Sequence, residues 1–322
     1  MLFQKISNIY RNTRQWFYDK NFIEIRTNIL THSPGWDSYF TPFATNIKIK
    51  NTLHPYFLSS SPEFEMKKFF NSKAERFFQI TKSFRNGEID EIHLPEFNML
   101  EWYKNNSDYK DAMKDTENLI LSLIKFQNKK IDFTKPFLKF SVNELFQQHL
   151  NIDLNQFQDR EDLRDKALSL GFSQIKTHFS WDTIFFILFL EKIEPWLAKI
   201  KKPIFLYDYP KQIASLAKNN LAQPNFVERF ELYIAGIEIC NGYSELLDLK
   251  EHYKRYEQIN TLRLQNKNTE LPFPEELVDF CNLRLLNVSG VALGMDRLIM
   301  ILTDKYPINK IQPVPIFKNQ PR

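Results

Sequence analysis

The commonest nucleotide-binding loops depend on glycine, and this chain has seven glycines in 322 residues. Average usage of about 7% would supply roughly 23. Neither Gly-x-Gly-x-x-Gly nor Gly-x-x-x-x-Gly-Lys-Ser/Thr occurs, so the chain can form neither a Rossmann fingerprint nor a P-loop. If it binds a nucleotide, side chains must grip the phosphates.

Thirty phenylalanines within a 43% hydrophobic composition can fill a sizeable core, and disorder is excluded. Cys240 and Cys281 are far apart, with no clustered histidines, which argues against a zinc site and against a disulfide framework. The N-terminus lacks a signal-peptide core, and the longest apolar run, Ile184 to Leu190, is too short for a bilayer. A cytoplasmic protein is expected. The net charge is +4, and residues 305–322 hold Lys305, Lys310, Lys318 and Arg322 with no acid, so the rest is neutral. A basic, Pro-containing tail over 304–322 either meets an acidic partner or is a solvated arm. Nothing in the charge demands a nucleic-acid ligand.

The periodicity predicts a first helix through Ile6, Ile9, Tyr10, Thr13, Trp16 and Phe17, then a strand over 22–27. A strand near 45–49 follows, then a helix behind Ser61-Pro62-Glu63. Strands over 77–84 and 96–103 form a long-looped hairpin, and residues 108–200 read as mostly helical, Trp181 to Trp196 being the most apolar helix. Residues 204–209 are strand-like, and 226–234 with 237–243 form a second hairpin turning at Ala235-Gly236. A helix over 249–265, a loop with Pro272 and Pro274, and a strand over 288–294 running into a helix complete the pattern. Helices alternating with antiparallel hairpins imply an α+β domain over 1–303, a mixed and mainly antiparallel sheet flanked by helices.

Three segments carry candidate chemistry. Along 96–103 one strand face reads Phe97, Met99, Glu101, Tyr103, which suits a stacked ring and a cation held further along; the plainer alternative is a half-exposed sheet with a scattered ion pair. Arg85 ends the incoming strand and His93 lies in the loop. In the second hairpin Glu231 and Glu238 flank the turn as cross-strand neighbours, so a cation between them is expected. Mg²⁺ bound with phosphate is one answer. The third segment, Gly290-Val291-Ala292-Leu293-Gly294-Met295-Asp296-Arg297, runs from a small-residue strand face into a helix start bearing a guanidinium, an arrangement that attracts anionic oxygens. Cys240 is expected to be a small buried hydrophobe.

Together, Ser83-Phe84-Arg85-Asn86 with His93-Leu94-Pro95-Glu96-Phe97-Asn98-Met99-Leu100-Glu101-Trp102-Tyr103 resembles motif 2 of the class II aminoacyl-tRNA synthetases. Gly290 to Arg297 resembles motif 3, and Asn21 to Thr27 a weaker motif 1. The lysyl subgroup is the nearest match, through Met99-Leu100-Glu101-x-Tyr103 and Glu238-Ile239-x-Asn241-Gly242-x-Ser244-Glu245. Motif 1 begins about twenty residues in, so no N-terminal anticodon-binding barrel and no anticodon recognition are expected. In that respect the chain resembles the elongation factor P lysine ligase family, whose members adenylate lysine or (R)-β-lysine and pass it to a lysine of elongation factor P.

The resemblance implies ATP and Mg²⁺ as cofactors, no membrane, and a homodimer. It assigns the α-phosphate and carboxylate to Arg85, further ATP contacts to Asn86 and Glu88, the outer phosphates to His93 and Arg297, adenine to Phe97 and Mg²⁺ to Glu231 and Glu238. It places the lysine among Ser61, Glu63, Glu101, Tyr103, Asn241, Tyr243, Glu245 and Ala292. Three positions depart from the family pattern: Asn28 follows Thr27 where Pro is usual, Gly87-Glu88 follows Asn86 where Glu is usual, and Ala292 replaces a Gly. The competing readings are a reduced synthetase acting on tRNA or making a free amide, and a non-catalytic paralogue that holds an adenylate or tRNA.

Overall fold

The computed structural model describes residues 1–35, 41–127, 131–283 and 285–316. Leu2–Tyr18 forms α1, whose buried face, Ile9, Thr13, Trp16 and Phe17, follows the predicted spacing. The chain turns at Asn21, with φ +58°, into β1 (Ile23–Glu24), shorter than the expected 22–27. β2 (Leu30–Thr31), β3 (Ala44–Ile49) and β4 (Thr52–Leu58) make a small antiparallel sheet in the order β2-β4-β3. Next come α2 (Glu63–Lys67), β5 (Arg76–Phe84), β6 (Glu96–Asn105) and α3 (Tyr109–Leu123).

The middle of the chain holds β7 (Leu138–Ser141), α4 (Val142–Leu150), α5 (Arg160–Ser169), α6 (Trp181–Leu188), α7 (Glu194–Leu197), β8 (Ile204–Pro210), β9 (Phe226–Ile234) and β10 (Ile237–Ser244). Helical backbone runs without a break over the apolar stretch expected at 181–196, α6 passing through a wider turn at Phe189–Ile193 into α7. The last part holds α8 (Leu249–Gln265), α9 (Glu276–Asn282), β11 (Val288–Gly294) and α10 (Met295–Thr303).

Two units make up the chain: Met1–Asn128 with Glu245–Arg322, and Lys129–Ser244. In the first, β1 runs parallel to β5, which pairs antiparallel with β6, and β6 with β11. In the second, β10 pairs antiparallel with β9 and β9 with β8, and β7 runs parallel to β8. Each unit therefore has the mixed, mainly antiparallel sheet of the expected α+β class. α10 packs on β6 in the first and α4 on β8 in the second.

Aromatic packing explains the phenylalanine content. Phe17 of α1 stacks on Phe78 of β5 at 4.4 Å, and Phe70, Phe77, Tyr103 and Phe280 share a core cluster with Met66 and Val288. In the second unit Phe146 stacks on Phe185 at 4.8 Å. Each fully buried ring stabilises the fold by about 1.5–3 kcal/mol. Of the basic tail, Ile308 and Ile311 are buried and the Ile308 N–H donates to Glu91 O; Lys318, Pro321 and Arg322 lie outside the described residues. No described helix is long and apolar enough to cross a membrane.

Candidate active site

In the first unit the β5–β6 hairpin sets the register of the site. Phe77 faces Tyr103 and Phe84 faces Glu96 across the ladder, and the Arg85 N–H donates to Pro95 O at 2.9 Å, closing the loop base. The Arg85 guanidinium stands 5.6 Å from the centroid of the Phe97 ring and 3.7 Å from the Glu88 carboxylate. Gly87 takes φ +89°, which favours glycine at this turn. Asn86 forms a bridge with Thr41. His93 Nδ1 lies 2.7 Å from Asp90, and its Nε2 contacts Arg297. A carboxylate only accepts and a guanidinium only donates, so the ring turns Nδ1–H to Asp90 and an acceptor Nε2 to Arg297. Arg297 also donates to Ile92 O at 3.4 Å. The buried Asp296 accepts from the Asn98 backbone N–H and side-chain amide at 2.8 and 2.9 Å, anchoring the start of α10 on β6.

Deeper in the same unit, the Glu101 and Glu245 carboxyl groups and the Lys67 ammonium are buried together, with the partly exposed Glu63 beside them. The Glu101 side chain is 1% exposed and accepts from Tyr103 and Ser61 hydroxyls, each at 2.7 Å. Burial, then the neighbouring Glu63 charge, pushes its pKa well above the usual carboxylate range. Glu245 is equally buried and its pKa is also raised, burial outweighing the Lys67 charge that opposes the shift. Lys67 reaches Glu63 at 2.7 Å and Glu245 at 2.6 Å. Burial by itself would depress the Lys67 pKa, but the charges of Glu245 and Glu63 raise it. Glu245 Oε1 is buried with no hydrogen-bond partner among the described residues. Gly290 pairs with Tyr103, and Ala292 with Glu101, across β6 and β11. A Cβ on Gly290 would collide with Glu245 Oε1 and the Tyr103 ring, so glycine lets both side chains lie against the β11 backbone.

In the second unit, β9 and β10 pair as predicted, but Glu231 and Glu238 are not directly opposite. Glu238 faces Tyr233 because the two-residue turn at Ala235-Gly236 pairs Ile234 with Ile237, and a bulge between Glu238 and Cys240 then brings Asn241 rather than Cys240 opposite Glu231. The expected cross-strand pair is thus diagonal. Glu231 accepts from Arg229 at 2.6 Å, Tyr209 at 2.6 Å and Tyr233 at 2.7 Å. Burial, then the Glu231 charge, drives both tyrosine pKa values well above normal. Tyr243 lies opposite Arg229, and Asn241 keeps a buried side-chain oxygen without a described partner. Cys240 is a buried thiol, in keeping with the hydrophobe expected from sequence.

The sequence from 1 to 318 matches the family of class II tRNA synthetases (D, K and N). The chain belongs to the class II tRNA synthetase family. It is 34% identical, over 300 residues, to the elongation factor P–(R)-β-lysine ligases of Salmonella paratyphi B, Salmonella heidelberg and Salmonella enteritidis PT4, a match that spans 92% of this chain and 89% of each relative.

Four residues of this class II synthetase chain went unread in the sequence. Lys67 stands one helical turn after Glu63, an i,i+4 spacing that signals a pair. Arg229 shares a strand face with Glu231 by alternation. Asp90 is three residues from His93 in the loop. Tyr209 had no local signal, because β8 meets β9 only through the sheet.

Proposed function

We propose that the protein is an ATP-dependent, AMP-forming ligase that activates lysine or (R)-β-lysine and transfers it to a lysine side chain of elongation factor P, acting as a cytoplasmic homodimer. The observation that carries the lysine reading is the acidic trio of Glu63, Glu101 and Glu245, the last two buried, with one ammonium among three carboxylates and a Glu245 oxygen left unpartnered among the described residues. Such a cluster favours a ligand that brings ammonium groups.

Two steps make up the reaction. A lysine carboxylate oxygen attacks the α-phosphorus of ATP, the bond to pyrophosphate breaks, and lysyl-adenylate forms. The deprotonated acceptor amine then attacks the adenylate carbonyl, an amide forms, and AMP leaves. Arg85 would grip the α-phosphate where charge develops, and Phe97, already beneath its guanidinium, would stack on adenine. Arg297 would neutralise the outer phosphates with His93, which Asp90 orients. Asn86 and Glu88 would line the nucleotide, and Asn241, Tyr243 and Ala292 the amino acid. Among the described residues no group of three or more His, Cys, Asp or Glu could hold a metal alone. Mg²⁺ would fit Glu231 and Glu238, since it takes one or two carboxylates plus phosphate oxygens, and would supply charge neutralisation.

Incubation with ATP, Mg²⁺, (R)-β-lysine and elongation factor P should add one lysyl mass to the factor. Folded protein that catalyses no ATP–pyrophosphate exchange with either lysine isomer overturns the ligase reading. Label on tRNA alone overturns the acceptor.

A further inference from the structure

Lys67 is the most unusual group near the acidic cluster. Among the described residues it is a lysine with no solvent exposure at all, on the five-residue α2. The ammonium lies between Glu63 and Glu245 and 5.5 Å from the centroid of the Phe280 ring. A buried ammonium is costly unless paired, and here it is paired twice. Glu101 takes hydroxyl donors instead. Fully ionised, three carboxylates against one ammonium among the described residues would carry two surplus negative charges; burial disposes Glu101 and Glu245 toward the neutral form, so those charges develop only against an incoming cation.

We propose that Lys67 is a positioning residue, a fixed internal counter-cation that holds Glu63 and Glu245 apart and in place so that the trio accepts amino acids carrying two ammonium groups and rejects those carrying one. This rests on the lysine-activating reading above. A diammonium ligand matches both charges as they develop, whereas a monoammonium ligand leaves a buried oxygen, Glu245 Oε1, without a donor. Sites built to hydrogen-bond a ligand group reject analogues that lack it, because their buried polar atoms are then orphaned.

Without the Lys67 ammonium, whose charge opposes the protonation of Glu245 and Glu101, the carboxyl groups keep their protons and hydrogen-bond one another, as carboxylates sharing a site do. A protonated, mutually bonded pair no longer demands an ammonium. Discrimination is therefore lost before chemistry is. A competing role, in which Lys67 occupies the amine subsite and must leave it when substrate binds, makes the opposite prediction: removing it tightens lysine binding.

The test is lysine-dependent ATP–pyrophosphate exchange by the full chain, with norleucine as the one-ammonium analogue. Lys67→Met should raise the lysine KM by about 10–100-fold while leaving the ATP KM and kcat within a few-fold, and should lower the lysine-over-norleucine ratio of kcat/KM at least tenfold. Lys67→Arg should restore most of the ratio. Should the Met variant fail to fold in thermal melts, Lys67→Gln, which keeps hydrogen-bonding capacity without charge, takes its place. An unchanged ratio, or a lysine KM that falls, overturns the proposal while wild-type exchange leaves the ligase reading intact. Absence of exchange in the wild type strikes at that reading instead.

Discussion

Two buried carboxylate clusters, one in each unit, are built on opposite plans. Around Glu101 and Glu245 acids outnumber cations, and burial pushes both carboxyl groups toward the neutral form. Around Glu231 donors crowd a single carboxylate: a guanidinium and two phenols converge on it. The first cluster lacks positive charge and suits a cationic ligand. The second is a pre-organised anion whose remaining lone pairs suit a hard metal ion. Acidic residues by themselves therefore do not define a role; the donors around them do.

The contrast is most open to attack at Glu231. Glu231→Ala should lower exchange activity by about 10²–10³-fold and cost about 3–5 kcal/mol of stability, because the buried Arg229 loses its partner; kinetics and urea melts read both. A tenfold loss with unchanged stability would erase the difference between the clusters.

Acid should come next. Burial, followed by the Lys67 charge, pushes the His252 pKa down to about 3. The unfolded chain then binds more protons than the native state between that value and the ordinary histidine pKa of about 6.5. Stability from neutral His252 is thus complete above about pH 6.5 and declines as pH falls, by on the order of 4 kcal/mol near pH 3. His252→Gln should flatten this limb in urea melts across pH, and an unaltered limb would detach His252 from the Lys67 surroundings.

The smallest stability effect is expected at Glu101. Its raised pKa means that Glu101→Gln replaces a group already disposed to be neutral, so stability should change by less than about 1 kcal/mol. The lysine KM should nevertheless rise about tenfold or more, for want of a charge-assisted hydrogen bond. A large stability loss with normal KM would make Glu101 a structural ion and break the comparison from the other side.

Much of this fold was legible because strand alternation and turn chemistry are local. β9 and β10 turn at Ala235-Gly236 as read, and the β5–β6 hairpin ends within two residues of its prediction. β4 carries Pro55, which argues against a strand; among the described residues β2 pairs only with Phe57 and Leu58, so no strand needs the missing N–H on that side of Pro55. α9, seven residues behind Pro274, was too short for periodicity to register. The two-residue turn itself makes Glu231 and Glu238 diagonal neighbours, whereas the β10 bulge, which brings Asn241 opposite Glu231, could not be foreseen.

The amino-acid order alone determined the family, the hairpins and most of the chemistry-bearing side chains, since motif spacing and alternation are written in consecutive residues. Tertiary structure decided which charges meet. Lys67 reads as a surface lysine on a short helix until packing buries it between Glu63 and Glu245. Glu231 reads as a free ligand until β8 and β9 bring it two phenols. Burial and partner charges set the state of an ionisable group, and both depend on residues distant in the chain.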